Sequence, residues 1–312
     1  MRALAAVTLF AATVALAQVE QPATVADLPG TLVFPAGKGP FPALVIVHGS
    51  GAADRDLTFG PNKPYRDIAV GLAARGIAAL RYDKRTKVHP EQFTGHPFTV
   101  KEETIDDALA AVALLRKTEH IDPKRIYVLG HSLGGMLVPR IGKADPAIAG
   151  FVIAAGNTRS FEELILDQLA STAPPPEMQT EEMKAQIEKL RQEVAKIKEI
   201  TAAEGESSKL VFGAPAAYWL DMRAYDPAMA AKGLKQPLLI VQGERDYQVT
   251  MKDFERWKAV LSGRASVTFK TYPALNHLFM AGEGKSTPAE YVRPGHVSEQ
   301  LIEDVAGWVK AH

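Results

Sequence analysis

Short, mainly apolar runs alternate along the chain with longer stretches whose apolar residues recur every three or four positions. The short runs lie at 43–47, 77–83, 126–129, 149–155 and 236–241. A strand with one wet face alternates polar and apolar residues, so a continuous run predicts a strand covered on both faces, as in a parallel sheet. The longer stretches predict helices that bury one side. Residues 65–75 carry Ile68, Ala69 and Leu72 on that side, and 99–117 carry Ile105, Leu109, Val112 and Leu115. Residues 133–143, 251–262 and 297–310 behave likewise; the last carries Leu301, Ile302, Val305, Trp308 and Val309. Residues 266–272 alternate apolar and polar positions and predict a strand near a sheet edge, and 31–35 an edge strand ended by Pro35. Residues 18–30 show no period and read as a linker. Strands alternating with helices imply an α/β fold: a doubly wound, mainly parallel β-sheet.

The rhythm breaks between 158 and 215. Pro174, Pro175 and Pro176 precede a charged helical stretch from Glu177 to about Ala203. Its apolar residues, Met183, Ile187, Leu190, Val194, Ile197 and Ile200, form a narrow heptad stripe. The expectation is an inserted helical cap over the open end of the sheet. It divides the core into 18–157 and 216–312. Two copies of the chain would share such a seam too, so a homodimer through the 177–203 helix is the other option.

The N-terminus adds a compartment. Arg2 is followed by an apolar, Ala-rich run from Leu4 to Leu16, then by Ala15-Leu16-Ala17, a small-x-small cleavage pattern. This predicts a signal peptide over 1–17, cleaved after Ala17, and a periplasmic or secreted protein. The run is short for a bilayer span, so no stable membrane span is expected after cleavage. Charge is balanced, 36 Lys+Arg against 36 Asp+Glu, which argues against nucleic acid as a partner. The absence of cysteine excludes disulfides, thiolate metal sites and a cysteine nucleophile.

The strongest local signal is Ile-Tyr-Val-Leu-Gly-His-Ser-Leu-Gly-Gly at 126–135. A β-branched run meets Gly130-x-Ser132-x-Gly134 and then helix formers. That order predicts strand, sharp turn and helix, with the Ser132 hydroxyl presented at the turn. Side chains at Gly130 and Gly134 would collide where the chain doubles back. Leu133, first in the helix, has an N–H free for an oxyanion. A second run ends in His48-Gly49-Ser50-Gly51, whose backbone can also face a ligand. Ligands of open α/β sheets bind beyond the carboxyl ends of the strands. Asp246 and His277 both follow predicted strands there. Glu244 and Asp253 are rivals for the acid, and His131 and His296 for the base. His131 reads as packing and His48 as bonded within its own loop. The charges at 81–85 read as salt-bridged loop support, His89 and His96 as solvated, and His120 and His312 as surface groups.

The chain order Ser132, Asp246, His277 resembles that of the α/β-hydrolase superfamily. Residues 48–56 and 81–85 resemble a bacterial branch of esterases, dienelactone-hydrolase-like proteins, and serine-peptidase or acyltransferase relatives. Dienelactone hydrolases proper use a cysteine, which is missing here. The resemblance implies a serine carboxylic-ester hydrolase without metal or organic cofactor, acting on a small-molecule ester. Ser132 would be the nucleophile, His277 the base and Asp246 its orienting acid. The backbone N–H groups of Ser50 and Leu133 would form the oxyanion hole. A peptidase, thioesterase or acyltransferase would use the same triad, and a binding protein on this fold would leave it idle.

Overall fold

The computed structural model describes residues 18–207 and 210–312, and the segment expected to be a signal peptide lies outside them. The chain runs β1 (Val19–Val25), β2 (Leu28–Phe34), β3 (Phe41–Val47), α1 (Pro64–Ala73), β4 (Ala78–Tyr82), α2 (Arg85–Val88), α3 (Asp106–Lys117), β5 (Ile121–His131), α4 (Leu133–Ala144) and β6 (Gly150–Ala154). Next come α5 (Phe161–Thr172), α6 (Glu181–Glu199), the two-residue strands β7 (Leu210–Val211) and β8 (Ala214–Pro215), α7 (Ala216–Arg223) and α8 (Pro227–Ala231). It ends with β9 (Leu238–Gly243), α9 (Met251–Leu261), β10 (Val267–Tyr272) and α10 (Glu299–Ala311).

Eight strands form one sheet in the order β1-β2-β4-β3-β5-β6-β9-β10. From β4 to β10 every pairing is parallel, whereas β1 and β2 join antiparallel. The doubly wound, mainly parallel sheet expected from the apolar runs is therefore present. Both faces of the central strands are covered. Ala43, Val45 and Val47 pack on one side with Val112, Leu137 and Trp257, while Leu44 and Ile46 pack on the other with Leu72, Leu301 and Val305. Helices thus lie on both sides of an entirely buried apolar layer.

Winding reverses between β3 and β5. β4 lies on one side of β3 and β5 on the other, with Val47 opposite Gly130 at their carboxyl ends. The turns after these two strands diverge there and leave a crevice.

Several expectations need correction. Residues 18–30 are not a linker; they form β1 and the start of β2, joined by a tight turn that pairs Val25 with Leu28. β1 is the sheet edge and is exposed along most of its length, so no apolar period marks it. Its Pro22 fits an edge, where a missing N–H costs nothing. Hence 31–34 belongs to the second strand, and β1 is the edge on that side of the sheet. Within β5, Asp122-Pro123 lies where the register against β3 shifts.

Helices α5 to α8 fill the interval between β6 and β9. The heptad stripe on α6 is divided. Val194, Ile197 and Ile200 are buried, and the Arg223 guanidinium of α7 donates to the Ile200 carbonyl at 2.9 Å. Met183, at the other end, is 40% exposed and with Ile187 and Leu190 lines a shallow groove beside Leu169.

Leu137 of α4 is fully buried beneath the turn that carries Ser132. Leu137→Ala should cost about 2–5 kcal/mol in chemical denaturation. A loss below about 0.5 kcal/mol, the scale of a surface substitution, would contradict this packing.

Candidate active site

Ser132 sits between β5 and α4 with φ +57° and ψ −119°, a region that side chains rarely occupy. Its N–H donates to the Ala154 carbonyl at 2.9 Å, and its carbonyl accepts from Met136 N–H at 3.0 Å. The strain is held from both ends. A Cβ on Gly130 would lie 2.2 Å from the Gly134 carbonyl oxygen, and one on Gly134 would lie 2.6 Å from the carbonyl oxygens of Val47 and His48. Only glycine fits either place.

Asp246 and His277 meet beyond β9 and β10. His277 Nδ1 lies 2.6 Å from Asp246 Oδ2, and each residue is only 4% exposed. Asp246 Oδ1 accepts from the backbone N–H of Gln248 at 2.7 Å and of Val249 at 2.9 Å. Gln242 Nε2 donates to Oδ2 at 3.1 Å. A buried carboxylate needs this many donors to replace its hydration. With Nδ1 engaged, Nε2 is the ring nitrogen left for chemistry. Neither it nor the Ser132 hydroxyl makes a hydrogen bond among the described residues, and such bonds often tighten only around substrate.

The serine opens into a cavity of about 540 Å³, within the usual range for small-molecule sites. Ser50 and Ser132 line it, and Phe93, Phe98, Phe161 and Trp219 supply aromatic walls. The backbone N–H groups of Ser50 and Leu133 carry no hydrogen bond among the described residues.

Residues 44–293 match the alpha/beta hydrolase family. The chain belongs to that family. It is 46% identical to Esterase EstD of Thermotoga maritima over 290 residues, 93% of this chain and 67% of that protein. Solved structures with the same fold include an esterase of Pyrococcus furiosus (TM-score 0.55, 17% identity, 95% of this chain and 91% of that one). Another is the α/β hydrolase GrgF of Penicillium sp. (TM-score 0.57, 16% identity, 95% and 99%).

The rival residues of this α/β hydrolase are engaged elsewhere. Asp253 accepts from Arg159 and the Thr158 N–H, and Glu244 accepts from the Thr271 hydroxyl. Exposed His296 lies beside Asp67. The charges at 81–85 brace the loops: Arg81 with Asp56 and Glu20, Asp83 with Arg55, Arg85 with Asp107 and Asp27. His48 does not bond within its own loop; its Nε2 reaches the Tyr82 carbonyl across the strands.

His131 does more than fill space. Gly49 N–H donates to Tyr65 Oη at 3.3 Å, Tyr65 Oη lies 3.0 Å from His131 Nδ1, and His131 Nε2 lies 2.9 Å from the His277 carbonyl. A carbonyl only accepts, so Nε2 carries the proton and the Tyr65 hydroxyl donates to Nδ1. Residue-level reading missed Tyr65 and Gln242. The polar Gln242 closing an otherwise apolar run was a usable signal, whereas nothing local marks Tyr65.

Burial pushes His48 down to about 4, and burial, with His277 close by, pushes His131 down to about 3. Both stay neutral in the folded state, while the unfolded chain takes up their protons near 6.5. Their contribution is therefore intact above pH 6.5 and drains as pH falls toward the folded values. Chemical denaturation should show a loss on the order of 2 kcal/mol per histidine between pH 7 and pH 5. An unchanged midpoint over that interval would contradict their burial as neutral rings.

Proposed function

We propose that this α/β hydrolase is an exported serine carboxylic-ester hydrolase that works through an acyl-enzyme on Ser132. The observation that carries the reading is the buried 2.6 Å pairing of His277 with Asp246 beyond β9 and β10, strands of the same parallel sheet whose β5 leads into the Ser132 turn. The 46% identity to Esterase EstD supports esters as the substrate class. Export rests on the composition of residues 1–17.

The serine hydroxyl alone is a weak nucleophile. As its oxygen attacks the acyl carbon, His277 Nε2 takes the proton, and Asp246 stabilises the resulting imidazolium. The ester carbonyl oxygen becomes an oxyanion and accepts from the N–H groups of Ser50 and Leu133. Collapse breaks the bond to the alkoxy oxygen, which leaves with the proton from His277. Water then attacks the acyl-enzyme through the same base, releasing the acid and restoring the hydroxyl. The aromatic walls of the cavity suit an apolar acyl or aryl group.

A p-nitrophenyl ester series from acetyl to decanoyl tests the reading. Wild type should hydrolyse it with an optimum chain length, and Ser132→Ala should lose at least about a thousandfold in kcat, the scale of a missing triad member. Asp246→Asn should lose about ten-thousandfold while remaining folded. Equal rates in wild type and Ser132→Ala would overturn the assignment. For export, Gln18 should be the first residue of the mature chain by N-terminal sequencing; retention of Met1 would refute it.

A further inference from the structure

Beneath the cavity lies a lysine that the triad mechanism does not use. Lys84 is 2% exposed. Its Nζ donates to the Gly49 carbonyl at 2.8 Å and to Glu103 Oε1 at 2.7 Å. Its backbone N–H donates to the Ala53 carbonyl at 3.0 Å, which ties the end of β4 to the same loop.

The Gly49 carbonyl shares a peptide plane with the Ser50 N–H. In a trans peptide these two groups point in opposite directions across a rigid plane. A carbonyl fixed on Lys84 therefore turns the Ser50 N–H away from the lysine. Ser50 and Ser132 line one cavity, and a Cβ on Gly49 would stand 3.1 Å from Ser132 Cβ. The preceding peptide is held as well, because Gly49 N–H donates to Tyr65 Oη. Both planes flanking Gly49 are thus pinned by buried side chains.

We propose that Lys84 is a positioning residue for the oxyanion hole: its ammonium fixes the Gly49–Ser50 peptide and, by polarising that carbonyl, strengthens the Ser50 N–H as a donor. This rests on the acyl-enzyme reading above. A buried ion pair is a poor device for stability alone, since desolvation consumes much of its attraction. Here one end of the pair falls on the peptide that would stabilise charge. A donor oriented in advance costs no reorganisation when the oxyanion forms, and a polarised peptide is a better donor. Glu103 balances the ammonium and lines the cavity beside Tyr218, whose phenol is raised well above its ordinary value by burial and then by that carboxylate. The wall that meets substrate is therefore linked to the donor that would meet the oxyanion.

Lys84→Met alone would leave Glu103 buried without its cation, so the test uses the double variant Lys84→Met/Glu103→Gln. Two inhibitors with the same acyl chain are compared. A trifluoromethyl ketone adds to the serine hydroxyl and forms a tetrahedral oxyanion, whereas the matching ether forms none. The double variant should keep its circular dichroism spectrum and hold KM within about twofold, while kcat falls about a hundredfold, the scale of one lost oxyanion donor. The ketone should weaken by a similar factor and the ether should not. Equal weakening of both, or of neither, overturns the inference and leaves Lys84 a structural residue. A wild type that does not bind the ketone overturns the acyl-enzyme reading, and this inference with it. Should the double variant fail to fold, Lys84→Gln replaces it, and the ratio of the two inhibition constants separates the same outcomes.

Discussion

The site depends on a lack of space. Between β5 and α4 the backbone turns so tightly that Gly130 touches Gly134, and Gly134 touches the end of β3. That crowding forces Ser132 into a positive φ and lifts it above the sheet. A turn of this kind costs on the order of 1–3 kcal/mol and persists only where its surroundings over-determine it. Here β5 is buried on both faces from Ile126 onward and paired on both sides, and Leu137 and Met136 of α4 are locked in the core. The rigid apolar sandwich supplies the stability that the turn spends.

Around the serine, buried hydrogen bonds join loops from distant parts of the chain. Gly49 is held by Tyr65 and Lys84, and Tyr65 by His131. His131 reaches the carbonyl of His277, and His277 reaches Asp246. The loops after β3, β5, β9 and β10 thus form one connected polar unit. Networks of this kind fix a geometry because each unpaired member would be expensive. The burial that makes the network costly to break also keeps His48 and His131 uncharged.

Much of the architecture was legible in the sequence. Continuous apolar runs showed which strands are covered on both faces, and the Gly-x-Ser-x-Gly turn stood where a strand period meets a helix period. Asp246 and His277 stood just beyond strand ends. The polar edge strand β1 was hidden, because nothing buries either of its faces along most of its length. The roles of Tyr65, Lys84 and Glu103 were hidden too. They act on Gly49 from 16, 35 and 54 positions away, two by contact and one through Lys84. A local pattern holds no record of such a contact. The long stripe on α6 was seen but not its division, since half of it finds partners within the chain.

The most direct test of the account is covalent labelling. The protein would be treated with an alkyl fluorophosphonate, and its peptides mapped by mass spectrometry. One adduct per chain, on the peptide carrying Ser132 and absent after Ser132→Ala, is the predicted result. An ester-hydrolysing protein that takes no label, or takes it on another residue, would contradict it.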